Sequence, residues 1–338
     1  MNKKSAYALL ILAPILAIFA AGLRIYYSLN IWEYSGPPIV FEVKPGEGFA
    51  SVNGRLKNQD IIHSAKLFHR YSQVQGLMTK FQAGKFEIKP GTTMLGVVDT
   101  LVKGTPIQSK VTIPEGKNLF EIGAVFEENG ITKEADFVAA AKDPEFMKEI
   151  GIPANRAEGY LYPDTYQFSE NTPAKEIIKA MFNHFKSKTE GLGLTHKDVI
   201  LASMIEKETG AAFERPRISG VFHNRLKKRM RLQSDPTTIY GIWERFNGNL
   251  RRSDLLQVTD YNTYKIPALP KGPICNPGLE AFKAALQPEQ HSYLYFVSRN
   301  DGTHVFTKNY KDHLKAVDDF QKNPQARRGK SWRDLQKN

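Results

Sequence analysis

Two glutamates one residue apart, in Glu206-Lys207-Glu208-Thr209, are the residues of this 338-residue chain whose type and spacing best suit acid–base chemistry. Thr195 and Asp198 form a capping pair that predicts a helix starting at His196. At about 100° per residue, with Ile200 at zero, Leu201, Met204 and Ile205 fall between about 40° and 140°. Glu208 falls near about 80°, inside that apolar stripe, and Glu206 near about 240°, beside Val199 and Ala202. A carboxyl group among apolar neighbours has its charged form disfavoured, so its pKa rises above about 4.3. Protonated near neutral pH, it can donate to a glycosidic oxygen as a general acid. The helix geometry alone also allows a buried, ion-paired glutamate, with Arg215 or Arg225 as partner.

The segments around this helix are dense in amide, hydroxyl and aromatic groups. They are Arg231-Leu232-Gln233-Ser234-Asp235-Pro236-Thr237-Thr238-Ile239-Tyr240-Gly241, then Tyr261-Asn262-Thr263-Tyr264, then Gly272-Pro273-Ile274-Cys275-Asn276-Pro277-Gly278. Such loops suit the hydroxyl and acetamido groups of a glycan, and each also reads as a structural turn. Upstream, Glu158 to Phe168 carries four rings around Pro163-Asp164, which suits either a buried strand or a sugar-stacking face. Arg225, Lys227, Lys228, Arg229 and Arg231 crowd five cations near a helix end, where they complement the helix dipole or attract carboxylates and anionic head groups. Cys275 is the single cysteine, which excludes an internal disulfide and a Cys-based zinc site.

The elements that hold these residues begin with an apolar N-terminus. Lys3 and Lys4 precede a charge-free run from Ser5 to Leu23, long enough to cross a hydrocarbon core of roughly 20 residues. Ala-rich Phe19-Ala20-Ala21-Gly22 also resembles a cleavage site, but the run exceeds the usual signal-peptide core of about 7–15 residues, which favours an uncleaved anchor. The flanking cations place the tail in the cytoplasm and the rest of the chain outside. That placement argues against nucleic acid as partner, although Lys+Arg 47 against Asp+Glu 35 leaves +12 and favours acidic ligands in general. From residue 39 to about 127, one strand–turn–helix pattern recurs. Val43-Lys44-Pro45-Gly46 followed by Val52 and Leu56 matches Ile88-Lys89-Pro90-Gly91 followed by Val97 and Leu101 at an offset of 45 residues. A weaker copy runs from Ile113-Pro114-Glu115-Gly116 to Ile122 and Phe126. The first copy, with a helix over Ser64 to Leu77 and a strand over Phe81 to Ile88, resembles a LysM module, which binds amino-sugar polymers.

The three polar loops together with Glu206-Lys207-Glu208-Thr209 resemble the YceG-like family of endolytic murein transglycosylases, over roughly residues 39–320 plus the anchor. The resemblance implies an α+β protein. Its parts are a tail and transmembrane helix over 1–27, a linker over 28–38, a LysM-like α+β region over 39–127, a mixed α/β catalytic domain over 128–322 and a polar basic tail over 323–338. It also implies Glu208 as the catalytic residue, with Tyr160, Tyr162, Asp164, Gln233, Asp235, Tyr240, Asn262, Tyr264 and Asn276 in the substrate cleft. No metal or cofactor is required. The implied partners are peptidoglycan strands, the cytoplasmic membrane and the synthases beside which nascent strands are cut. Two other readings stay open: a hydrolase using Asp235 as second carboxylate, and a non-enzymatic glycan-binding scaffold.

Overall fold

The computed structural model describes residues 3–323 and residue 325, with 3–11 described by backbone alone. The expected basic tail, 323–338, lies outside the described residues apart from Asn323 and Gln325. The chain divides into two compact units, one comprising 1–109 with 167–171 and the other 110–166 with 172–338. The architecture is α+β. Among the described residues, six short strands form three two-stranded ribbons set among helices, the mixture of helix and strand that the resemblance implies.

The first unit opens with α1 (Lys3–Tyr26), two residues beyond the charge-free run on its N-terminal side and three on the other. Leu12–Ile31 is long and apolar enough to cross a membrane. Its apolar side chains are not packed against protein: Leu16, Ile18 and Phe19 are 62%, 73% and 65% exposed. The expected linker is instead tied down. Ser28 is buried and its hydroxyl meets His63 Nδ1 at 2.9 Å. Trp32 stacks on the same ring, and Tyr34 is buried in the unit's core.

That core lies between a hairpin-like ribbon and three helices. Strands β1 (Ile39–Val43) and β2 (Gly84–Ile88) pair antiparallel, with Phe41 opposite Phe86. Alternation sends Phe41, Val43, Phe86 and Ile88 inward and leaves Val40 exposed. Helices α2 (Phe49–Asn58) and α3 (Ala65–Val74) separate these strands, and α4 (Met94–Lys103) follows. Met94, Val97, Val98 and Leu101, at helical spacing, are fully or nearly buried. The repeat is visible in the backbone: the glycine ending each of the three turns, Gly46, Gly91 and Gly116, has φ of 74°, 82° and 79°. Those left-handed values favour glycine, which explains why the residue recurs at that place.

In the second unit the chain runs through β3 (Gln108–Thr112), α5 (Leu119–Glu128), α6 (Glu134–Ala141), α7 (Pro144–Ile150), β4 (Thr165–Ser169) and α8 (Ala174–Lys188). The division between units falls within both β3 and β4, earlier than the expected boundary after residue 127. The third copy of the repeat therefore belongs to the catalytic unit. Its turn is anchored there, since Gly116 N–H donates to Asn276 O at 2.9 Å and Lys207 Nζ donates to Gly116 O at 3.2 Å.

Next come α9 (His196–Glu208), α10 (Arg215–Lys227), α11 (Asp235–Gly241), α12 (Arg252–Leu256) and α13 (Leu279–Leu286). A ribbon of β5 (Tyr295–Ser298) and β6 (His304–Thr307) and then α14 (Tyr310–Val317) complete the unit. Helix α9 starts at the Thr195/Asp198 capping box, as its sequence predicts. It packs against α10, α11 and α13, and every residue from Val199 to Ile205 is buried. A helix buried all round has no solvent face, so the single apolar stripe expected from the sequence does not exist.

Candidate active site

Because α9 is enclosed on all sides, angle on the helix does not distinguish Glu206 from Glu208. Their partners do. The Glu206 side chain is 8% exposed, accepts from Arg215 Nη2 at 3.1 Å and from Gly278 N–H at 3.2 Å, and is thus an ion-paired structural group. The side chain of Glu208, the last residue of α9, has one hydrogen bond among the described residues: Ser234 Oγ donates to its Oε1 at 2.5 Å. Its Oε2 has no partner among the described residues and is not sealed from solvent. Burial pushes the Glu208 carboxyl up to about 7, and the neighbouring Asp235 charge adds to the rise. The Ser234 hydrogen bond and the Arg225 charge oppose it.

Ser234 is held by the two polar loops on either side of it. It is the residue before α11, 2% exposed, and its N–H donates to Thr263 Oγ1 at 2.9 Å. Thr237 Oγ1 donates to Ser234 O at 2.6 Å and lies 2.8 Å from Thr263 Oγ1. Asp235 opens α11 and accepts from Tyr264 OH at 2.6 Å, an interaction that, after burial, holds the phenol's proton more tightly. Gln233, exposed with φ of 51°, stands beside this group. Arg225 does not belong to a solvated cation run. It is 7% exposed, and its guanidinium donates to the carbonyls of Leu294 and Leu232, both at 2.6 Å. It therefore fixes the loop that carries Ser234, while Lys227, Lys228, Arg229 and Arg231 remain exposed.

A second carboxyl stands apart from this group. Glu158 is 1% exposed, and burial pushes it up to about 8. Its Oε2 accepts from Leu119 N–H at 3.1 Å and Tyr240 OH at 2.8 Å, and its Oε1 accepts from Asn276 Nδ2 at 2.9 Å. Asn276, itself fully buried, also accepts from the N–H groups of Gly159 and Leu161. Gly159 is required where it stands: φ is 86°, and a Cβ there would lie 2.6 Å from Pro273 and 2.8 Å from Val199 of α9. Glu158, Tyr240 and Asn276 thus knit the 158–163 loop, α11 and the 272–278 loop together.

The ten residues expected at the site therefore fall into separate groups. Glu208, Gln233, Asp235 and Tyr264 come together at the end of α9. Tyr240 and Asn276 lie under the surface with Glu158. Asn262 is fully buried, its Oδ1 accepting from Thr238 Oγ1 and Tyr264 N–H and its Nδ2 donating to Leu255 O and Gln257 O. Tyr160 is 3% exposed and its OH meets His196 Nδ1 at 2.7 Å, at the start of α9. Tyr162 is 8% exposed, and Asp164 pairs with His184 of α8 at 2.7 Å. Glu158 and Ser234 carry interactions that sequence reasoning did not assign. An acid flanked by Ala157 and the Tyr160-Leu161 pair was the available signal for the first, and a serine before Asp235-Pro236 the signal for the second. Cys275 is fully buried, which pushes its thiol well up and leaves it unreactive. Among the described residues, no group of acids, histidines and cysteines could hold a metal ion.

Known proteins resemble this chain over most of its length. An endolytic murein transglycosylase of Bacillus subtilis is 32% identical over 302 residues, 82% of this chain and 83% of that protein. One of Streptococcus pneumoniae is 26% identical over 316 residues, 81% of this chain and 57% of that longer protein. The crystal structure of a YceG-like protein from Listeria monocytogenes superposes with a TM-score of 0.55 at 30% identity, over 83% of this chain and 99% of that one. The YceG-like family matches residues 41–319, from β1 into the π-helical segment after α14. That span takes in both units and every residue of the site, and the chain belongs to the YceG-like family.

Proposed function

We propose that this protein is a peptidoglycan lytic transglycosylase in which Glu208 acts as both acid and base. The observation that carries the reading is the state of that carboxyl group: pKa about 7, one oxygen held by Ser234 and the other open. The names of its relatives in Bacillus and Streptococcus support the substrate class. Protonated Glu208 donates to the oxygen linking N-acetylmuramic acid to N-acetylglucosamine as the bond to the anomeric carbon breaks. The resulting carboxylate takes the proton of the muramyl 6-hydroxyl, and that oxygen closes on the anomeric carbon. The product is a 1,6-anhydro end, no water enters, and Glu208 is protonated again. A pKa near the working pH serves both halves of the cycle. Gln233, Asp235 and Tyr264 border the acid and are assigned to the sugar. Tyr160, Tyr162, Asp164, Tyr240, Asn262 and Asn276 are assigned to the framework or rim of the cleft.

The exposed apolar face of α1 supports a membrane anchor, with the catalytic unit outside the cytoplasm, where nascent strands are cut and their elongation ends beside the synthases. The β1-α2-α3-β2 order of the first unit supports a glycan-binding, LysM-like role for it. Digesting purified sacculi tests the catalytic assignment. Wild type should release internal fragments and Glu208→Gln should release none while melting at the wild-type temperature. Cleavage by the variant would overturn the assignment. Recovery of the protein in membranes after a high-salt wash tests the anchor, and an N-terminus starting near Gly22 would refute it.

A further inference from the structure

A second built surface lies in the catalytic unit, away from Glu208. Trp243, just past α11, stacks on Phe120 of α5 with ring centroids 5.8 Å apart and planes 15° from parallel. The Lys142 ammonium sits 4.4 Å over the Phe120 ring. With Arg156, Tyr240 and Tyr261, these three line a cleft of about 460 Å³. Arg156 and Tyr261 also line a second cleft of about 340 Å³.

The charges here are unevenly matched. Lys271 is held by Asp260 at 2.7 Å and Arg245 by Asp254 at 3.0 Å. Lys142 and Arg156 have no ion pair among the described residues. Glu158, two residues along, is 1% exposed with both oxygens taken up by Leu119 N–H, Tyr240 OH and Asn276 Nδ2. Glu244 is the one other acid lining this cleft besides Asp260, and it is exposed. An aromatic face beside two unmatched cations fits a ring that carries a carboxylate: the ring stacks while ammonium and guanidinium meet the acid. Helix α11 links this surface to the acid. Its first residue follows Ser234 and its last, Gly241, lines the cleft, a rise of roughly 9 Å.

We propose that this cleft is a saccharide subsite for a carboxylate-bearing amino sugar, set apart from the bond that Glu208 opens. The polymer's identity rests on the function proposed above. A muramyl residue offers one of two carboxylate sources: the free lactyl acid where peptide has been removed, or the carboxylates of a peptide joined to that lactyl group as an amide.

The test uses full-length protein in detergent carrying Glu208→Gln, so that ligand is bound and not cut. Three ligands are titrated: chitotetraose, murein oligosaccharides stripped of peptide, and the same with peptide. Adding Lys142→Gln and Arg156→Gln should weaken binding of carboxylate-bearing ligand about tenfold and leave chitotetraose within about twofold. Loss confined to stripped strands identifies the lactyl acid; loss confined to peptide-bearing strands identifies the peptide. Lys142→Arg with Arg156→Lys should retain affinity, which separates charge from folding. Unchanged binding of both murein ligands, or an equal loss on all three, would overturn the proposal. Cleavage by Glu208→Gln would overturn the catalytic reading instead, and leaves this comparison measurable.

Discussion

Glu158 and Glu208 are both pushed up by burial, to about 8 and about 7, yet their surroundings have opposite consequences. Three donors occupy both oxygens of Glu158 and seal it between α5, α11 and the 272–278 loop. Among the described residues, a single hydroxyl bonds to Glu208 and leaves one oxygen open. A raised pKa therefore does not make a general acid. An unspent oxygen within reach of a ligand is also required. Glu206 completes the contrast, since Arg215 takes up its charge two residues from the acid.

Substitutions in these groups break or sharpen that contrast. Glu208→Gln has the largest expected effect, a loss of about 10²–10⁴-fold in cleavage rate with little change in melting temperature. Comparable loss in Glu158→Gln, with its fold intact, would erase the distinction. Glu206→Gln should keep most of its activity but lose about 1–3 kcal/mol of stability, because half-buried Arg215 keeps only its longer pairing with Glu115 at 3.5 Å. Denaturant titration reads that loss.

Glu158→Gln should cost about 1–3 kcal/mol, since an amide nitrogen would face donors now satisfied by the carboxyl group. It should also change the pH dependence of stability. Both carboxyls titrate above 4.5 when folded, at about 8 and about 7. Between 4.5 and those values the unfolded groups have lost their protons and the folded ones keep them. Their contribution is thus full below that range and is lost as pH rises to about 8. Thermal melts across pH 5–9 should show a shallower fall in Glu158→Gln than in wild type; parallel curves would contradict the burial argument.

Ser234→Ala should have the smallest effect, a rate loss under about tenfold. Wild-type activity should decline above about pH 7 as Glu208 loses its proton. Removing the hydroxyl that stabilises the carboxylate should move this decline to higher pH. A shift to lower pH would mean that Ser234 does not act on Glu208 as described.

What could be read from the sequence was mostly local. The Thr195/Asp198 box set the start of α9, the three turn glycines marked the repeat, and the charge-free run marked α1. Each depends on residues a few positions apart. Long-range packing was not legible. Helix α9 reads as amphipathic, yet α10, α11 and α13 close over both faces. Residues 28–38 read as a linker, but Tyr34 enters a core assembled from distant strands and helices. Asn262 and Asn276 look like ligands for a sugar, and the structure instead spends their amides on backbone and on Glu158. The grouping of Glu208, Gln233, Asp235 and Tyr264 was visible as motifs but not as a constellation, because Ser234 and Thr263 make the connection.

The account's central claim is that one carboxyl group, Glu208, completes the reaction without water. Digestion of sacculi in water labelled with heavy oxygen, followed by mass spectrometry of the new muramyl ends, tests it most directly. The account predicts unlabelled ends, lighter than hydrolysed ends by one water and unchanged by borohydride, because an anhydro sugar has no free aldehyde. Heavy oxygen at the anomeric carbon of wild-type product would contradict it. That result would make the enzyme a hydrolase, with Asp235 the nearby carboxylate to substitute next.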